Sequence, residues 1–245
     1  MIESLADTTA LVLSGGLGTR LRSVVSDRPK VLALVAGRPY LAHLLDKLAD
    51  AGLRRVVLCT GYCADQVQAT FGMRYLGLDL LYSEETRSLG TAGALRLALP
   101  KADSETLLVL NGDSYCAADL SAFWRFHSRH RGLAPSAALL LTQLADTRRY
   151  GRVEIDPTGV VTRFLEKADA DGPGLINAGI YLLDRGLVEP IPATQEVSLE
   201  RDVFPSWIGR GLYGCATSSA FIDIGTPESY AAADRFFHAR SSRAA

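Results

Sequence analysis

The residues best suited to chemistry come early in the chain. The stretch LSGGLGTRLRSVVSDRPK, residues 13–30, follows the apolar run ALVL and combines Gly15, Gly16 and Gly18 with Arg20 and Lys30. Glycines let backbone N–H groups approach an anion closely, and Arg20 adds a planar, permanently charged fork. With the hydroxyls of Ser14 and Thr19 beside it, the stretch reads as a phosphate cradle. It is not a P-loop, which needs Gly-Lys-Ser/Thr where this chain has Gly-Thr-Arg, nor a dinucleotide fingerprint, because Leu21 stands where the third glycine belongs.

Two acids follow apolar runs in the same way: Asp113 in LVLNGDS and Asp223 in FIDIG. Singly, each is as well explained as a turn former or a cap. Converging beside triphosphate oxygens, they make a hard oxygen site suited to Mg²⁺. FLEKA ends on Glu166 and Lys167, which by themselves read as a solvated pair. Asn177 in LINAG is a polar group in a run suited to burial, so it requires either an internal hydrogen bond or a sugar hydroxyl. His127 and His130 share a helical face without a carboxylate or cysteine to complete a metal site. Ser14 lacks the Gly-x-Ser-x-Gly setting of a nucleophile elbow.

The elements that must position these groups alternate. Short apolar runs at 10–13, 54–60, 78–82 and 106–111 suit strands buried on both faces. Between them the spacing predicts helices over RPYLAHLLDKLADAG, over TAGALRLALP with Thr91 as N-cap, and over DLSAFWRFHSRH. The rhythm implies a mostly parallel α/β sheet with helices on both faces in a nucleotide-binding lobe over about 8–131. Ligands of such sheets bind beyond the carboxyl ends of the strands, where the glycine loop and Asp113 fall. From 136 the pattern changes to strand after strand (136–144, 151–155, 160–166, 175–183), predicting an antiparallel or mixed extension packed on the parallel half as a smaller lobe over about 132–220. The acid-bearing strand and a helix from Pro227 close a single domain, with SSRAA expected to be a disordered tail.

A net charge of −1 in 245 residues excludes a general basic field for nucleic acid or anionic lipid, so any polyanion bound is small and held locally. No secretory leader or membrane-length apolar run is present, which points to the cytoplasm, and the oligomeric state is left open, a homo-oligomer included. The four scattered cysteines read as reduced thiols, mostly buried.

In order, GGLGTRL, RPK, LGTAGAL, NGD, YG, EK, NAG and FIDIGTPE resemble the motifs of the sugar-1-phosphate nucleotidyltransferase family over nearly the whole chain. SLERDVFP is most similar to the bacterial D-glycero-α-D-manno-heptose-1-phosphate guanylyltransferases, with mannose-1-phosphate guanylyltransferases and N-acetylmuramate-1-phosphate uridylyltransferases next. The resemblance implies a Rossmann-like fold and in-line attack of a sugar 1-phosphate on the α-phosphorus of a nucleoside triphosphate, GTP favoured. It assigns Ser14, Gly15, Gly16, Gly18, Thr19, Glu85, Gly90 and Thr91 to the nucleotide, Arg20 to the leaving phosphates and Lys30 to charge around the attacked phosphorus. Asp113 and Asp223 are its Mg²⁺ ligands; Lys167 meets the sugar phosphate, and Glu166, Asn177 and the Gly151 backbone fix the sugar. Glu85 suits guanine, whose N1–H and amino group are both donors. Replacing either aspartate by Asn is expected to silence turnover and leave the fold intact. Val31 and Ser88 stand where the family usually has proline, which touches loop stiffness and no charged group. A catalytically silent ligand-binding subunit of the same fold is the competing class.

Overall fold

The computed structural model describes residues 4–16, 18–21, 23–132, 134–165 and 172–244. Its centre is β1 (Thr9–Leu13), paired in parallel with β4 (Arg55–Thr60) on one side and β7 (Thr106–Asn111) on the other. β6 (Leu78–Glu84) continues the parallel sheet beyond β4, and β5 (Arg74–Tyr75) ends it antiparallel. Ala10 and Val12 of β1 face one apolar core while Leu11 faces the other. A strand buried on both sides needs cover on both, which is why an unbroken apolar run rather than an alternating one marks it.

The first face is covered by α1 (Tyr40–Asp50), α2 (Ala64–Phe71), α4 (Leu120–His130) and α7 (Pro227–Ala244). Leu41, Leu44, Leu45 and Leu48 of α1 are buried, as are Phe123, Trp124 and His127 of α4, matching the stripes their spacing predicts. The opposite face holds α3 (Gly90–Ala98), α5 (Arg185–Val188) and α6 (Phe204–Trp207). Two expectations at helix ends fail. α3 begins at Gly90 after Leu89, and the Thr91 hydroxyl bonds sideways to Glu200 and Leu199 rather than capping its own helix. α7 runs through the Ser-Ser-Arg segment to Ala244, because its helical pattern carries no glycine or proline to stop it.

The strands after residue 136 extend the same sheet. β12 (Gly174–Asp184) lies antiparallel against β7, with β9 (Ala137–Leu144) and β10 (Arg152–Ile155) antiparallel to β12. β11 (Val161–Leu165) closes that edge antiparallel to β10, whereas β13 (Leu212–Thr217) runs parallel to β9. Two ribbons stand apart: β2 (Leu34–Val35) with β3 (Arg38–Pro39), and β8 (Ser114–Cys116) with β14 (Phe221–Asp223). Of the cysteines, Cys59 and Cys116 are buried and Cys63 and Cys215 half-buried. Among the described residues no helix is long and apolar enough to cross a membrane.

Candidate active site

The carboxyl ends of β1, β4, β6 and β7 open on a cavity of about 650 Å³, within the range of small-molecule sites. Ser14, Gly15, Gly16, Gly18, Thr19 and Arg20 line it, together with Lys30, Glu85, Gly90, Thr91 and Asp113. The structure thus gathers the predicted nucleotide residues and one of the two acids at one place.

Local bonds explain the convergence. Ser14 is buried, its N–H and Oγ both donating to the Cys59 carbonyl at 2.8 and 2.9 Å, which ties the loop's start to β4. Gly112 N–H donates to the Leu13 carbonyl at 2.8 Å, so β7 delivers Asp113 beside the glycine loop. A Cβ on Gly15 would stand 2.8 Å from Glu85 Oε1, so only glycine lets that carboxylate close against the loop. Lys30 Nζ donates to Asp113 Oδ2 at 2.6 Å, with only 11% of the lysine side chain exposed against 43% of the aspartate.

Glu85 accepts from Leu89 N–H at 2.8 Å. Burial pushes its carboxyl up, the Leu89 amide pulls it back in part, and the Glu196 charge adds to the rise. The first-turn amides of Ala92 and Gly93 in α3 already donate to the Val197 carbonyl at 2.9 and 3.4 Å, so this helix end is spent on the fold.

Asp223 does not line the cavity; it lies behind Gly225, which does. β14 pairs Asp223 with Ser114, and Ile224 N–H donates to the Asp113 carbonyl at 2.9 Å, so the two acids are neighbours. Asp223 Oδ1 accepts from Gly225 N–H at 2.5 Å and Ser229 Oγ at 3.1 Å, Arg149 Nη2 reaches both oxygens at 3.2 Å, and the Tyr150 hydroxyl donates to Oδ2. Burial pushes this carboxyl up, but the bonds from Tyr150, Gly225, Arg149 and Ser229 outweigh it and hold it below the ordinary aspartate value. Two adjacent hard-oxygen donors, each neutralised by a protein cation, fit a divalent ion of the Mg²⁺ type provided Arg149 yields.

Gly151 and Asn177 stand away from the cavity lining. Gly151 packs at the Leu165 carbonyl, and Asn177 bonds to Tyr181 at 2.8 Å and to Gly179 N–H at 2.9 Å. Glu166 and Lys167 lie outside the described residues. Tyr62, Arg87 and Asn111 line the cavity and were missed by the sequence reading. Tyr62 and Arg87 carry no signal in isolation, whereas Asn111, in NGD beside Asp113, does.

The fold also collects a serine, a histidine and an acid that are far apart in sequence. Ser136 Oγ and Asp184 Oδ1 lie 3.4 and 3.7 Å from the same His127 nitrogen, Nε2, and the ring is fully buried. A proton relay needs the two partners on opposite nitrogens, so this is a packing network.

The sequence matches the model of the nucleotidyl transferase family over residues 9–240. The chain belongs to that family. Among family members, it is 39% identical to the mannose-1-phosphate guanylyltransferase of Mycobacterium tuberculosis over 90% of this chain and 62% of that protein. It is 34% identical to the D-glycero-alpha-D-manno-heptose 1-phosphate guanylyltransferase of Aneurinibacillus thermoaerophilus over 92% of this chain and 96% of that one. The chain thus spans under two thirds of the mannose enzyme it resembles. The nucleotidyl transferase fold superposes on HddC from Yersinia pseudotuberculosis complexed with GMP-PN with a TM-score of 0.82, at 32% identity over 94% of this chain and 99% of that one.

Proposed function

We propose that the protein transfers a guanylyl group from GTP to a sugar 1-phosphate, D-glycero-α-D-manno-heptose 1-phosphate being the favoured acceptor. The observation that carries the reading is the single cavity in which the glycine loop, Arg20, Lys30 and Asp113 face Glu85. The heptose enzymes, matched along nearly their whole length, support the acceptor. A mannose 1-phosphate acceptor is the second reading, favoured by the 39% identity to the mycobacterial enzyme.

In this scheme an oxygen of the sugar phosphate attacks the α-phosphorus of GTP, a new P–O bond forms, and the bond to the β-phosphate oxygen breaks to release pyrophosphate. Such chemistry asks the protein for alignment and charge neutralisation. The backbone at Gly15, Gly16 and Gly18 cradles the triphosphate, and Arg20 holds the β- and γ-phosphates that leave. Lys30, oriented by its bond to Asp113, meets charge growing at the attacked phosphorus. Asp113 and Asp223 are the residues that would hold Mg²⁺, which supplies further neutralisation of phosphate charge when bound. By the family resemblance, Lys167 receives the sugar phosphate, while Glu166, Gly151 and Asn177 fix the sugar. Both substrates being small soluble phosphates, the reading goes with a cytoplasmic location and no nucleic-acid partner.

Pyrophosphate release from four nucleoside triphosphates against both sugar 1-phosphates tests it. GTP with the heptose is expected to give the highest kcat/KM; a higher value with mannose favours the second reading. No release with any pair would instead support a silent binding subunit.

Glu85→Gln puts a donor where guanine needs an acceptor, at a cost of about 1–3 kcal/mol. The GTP:UTP ratio of kcat/KM should fall roughly ten- to hundredfold. An unchanged ratio removes Glu85 as the reader of the base. The pH dependence has a fixed sign: because burial raises the Glu85 pKa, it takes up a proton before an ordinary glutamate as pH falls, and the acid form loses an acceptor. GTP use should therefore decline on the acid side earlier than UTP use, and the GTP-specific limb should vanish in Glu85→Gln.

A further inference from the structure

The two acids of the site hold their cations differently. Lys30 is nearly buried and meets Asp113 at 2.6 Å. Arg149, in the connection from β9 to β10, has 47% of its side chain exposed. It touches Asp223 through Nη2 alone, at 3.2 Å from each carboxylate oxygen, with Ser229 Oγ at 3.4 Å. Among the described residues its Nε and Nη1 make no hydrogen bond, and its guanidinium carbon lies 5.5 Å from the centre of the Tyr150 ring.

Equal distances to the two oxygens put Nη2 where a cation shared by both would sit, so the guanidinium and a divalent ion at Asp223 exclude one another by space and by charge. The other donors to this carboxylate, from Tyr150, Ser229 and the Gly225 amide, come from other sides and need not move. A hard divalent ion gains more from anionic oxygens than a weakly hydrated guanidinium gains from one long, half-exposed contact. Of the two protein cations, Arg149 is therefore the one that leaves.

Its neighbours say where it goes. The point at which a Gly225 Cβ would stand is 2.6 Å from Asp223 Oδ1 and 3.9 Å from Lys30 Nζ, so Lys30, Asp223 and Arg149 stand side by side. In the scheme above Lys30 meets the attacked phosphorus, and the phosphate that attacks it must reach the same place against like charge. A guanidinium released from Asp223 offers that phosphate a fork of N–H donors. We propose that Arg149 has two positions: it neutralises Asp223 while the carboxylate holds no divalent ion, and on leaving Asp223 it donates to the phosphate of the sugar 1-phosphate. Binding of the ion and of the acceptor then favour each other, by the same factor in both directions. The inference rests on the guanylyl-transfer reading above.

The test begins on the substrate-free protein, titrated with Mn²⁺ and followed by loss of the free-ion EPR signal. Arg149→Gln removes the competing charge and should bind Mn²⁺ about fivefold or more tightly than the parent. In the same variant the KM for the sugar 1-phosphate should rise about tenfold or more, while the KM for GTP does not rise. Arg149→Lys, which keeps the charge, should fall between parent and Arg149→Gln in both measurements, and Arg149→Met carries the test should Arg149→Gln fail to fold. A merely structural role would weaken both kinds of binding together or leave both unchanged. Mn²⁺ binding that is unchanged, weaker or absent in the neutral variants overturns the first position, and an unchanged KM for the sugar 1-phosphate in an active variant overturns the second. A parent that releases no pyrophosphate from GTP with any sugar 1-phosphate overturns the guanylyl-transfer reading and the second position with it, whatever the Mn²⁺ result.

Discussion

Asp113→Asn is expected to lower kcat/KM about a thousandfold with little change in melting temperature, whereas Asp223→Asn should lose both activity and stability. The sequence treats the two acids alike, but the structure separates them. The Asp113 side chain is 43% exposed and, among the described residues, makes one ion pair, to Lys30. Its amide analogue still offers Lys30 Nζ an oxygen to donate to, and removes only the charge the chemistry needs. The Asp223 side chain is 11% exposed and accepts from Tyr150, Arg149, Ser229 and the Gly225 amide. An amide nitrogen in place of one oxygen would face those donors with another donor, at a cost of about 1–3 kcal/mol. The pH dependence carries the same mark. A carboxyl whose folded pKa is lowered adds stability above its unfolded value of 3.8, and that contribution is lost as pH falls through the folded value. The parent should therefore lose stability more steeply than Asp223→Asn below about pH 4. Urea unfolding across pH, beside pyrophosphate release, reads both; equal melting temperatures for the two variants would show that the Asp223 contacts carry no net stability.

Gly90→Ala should destabilise the fold by about 3 kcal/mol or more. Gly90 has φ +69°, and a Cβ there would overlap the Val197 carbonyl oxygen and sit 2.8 Å from its carbon. Neither is the far end of a flexible side chain. The Val197 segment is fixed in turn, since its carbonyl accepts from Ala92 N–H at 2.9 Å and its own N–H donates to Leu89 at 2.9 Å. Relief would push the 197–200 turn from α3, taking Glu200 from Thr91 and loosening the cavity wall. Chemical unfolding of the variant measures the effect; a midpoint equal to the parent's would mean that this turn shifts at no cost.

Local pattern determined a good part of this protein. The unbroken apolar runs at 10–13 and 106–111 became strands buried on both faces, and the leucine and aromatic stripes of α1 and α4 became buried faces. The Gly15–Arg20 loop, Lys30, Glu85 and Asp113 reached one cavity because each follows a parallel strand or its loop, and parallel strands deliver their ends to one edge. What the sequence by itself could not determine lies in contacts between distant segments. Nothing local shows that β12 would enter antiparallel beside β7 and make the second lobe part of the first sheet, or that β13 would run parallel to β9. Arg149 and Tyr150 reach Asp223 across 74 and 73 residues, and Thr91 reaches Glu200 across 109. Periodicity reports which face of an element is apolar, since burial acts on each residue separately. Which polar groups meet depends on how whole elements pack, so the partners of Asp223 and of Glu200 were decided by the tertiary structure alone.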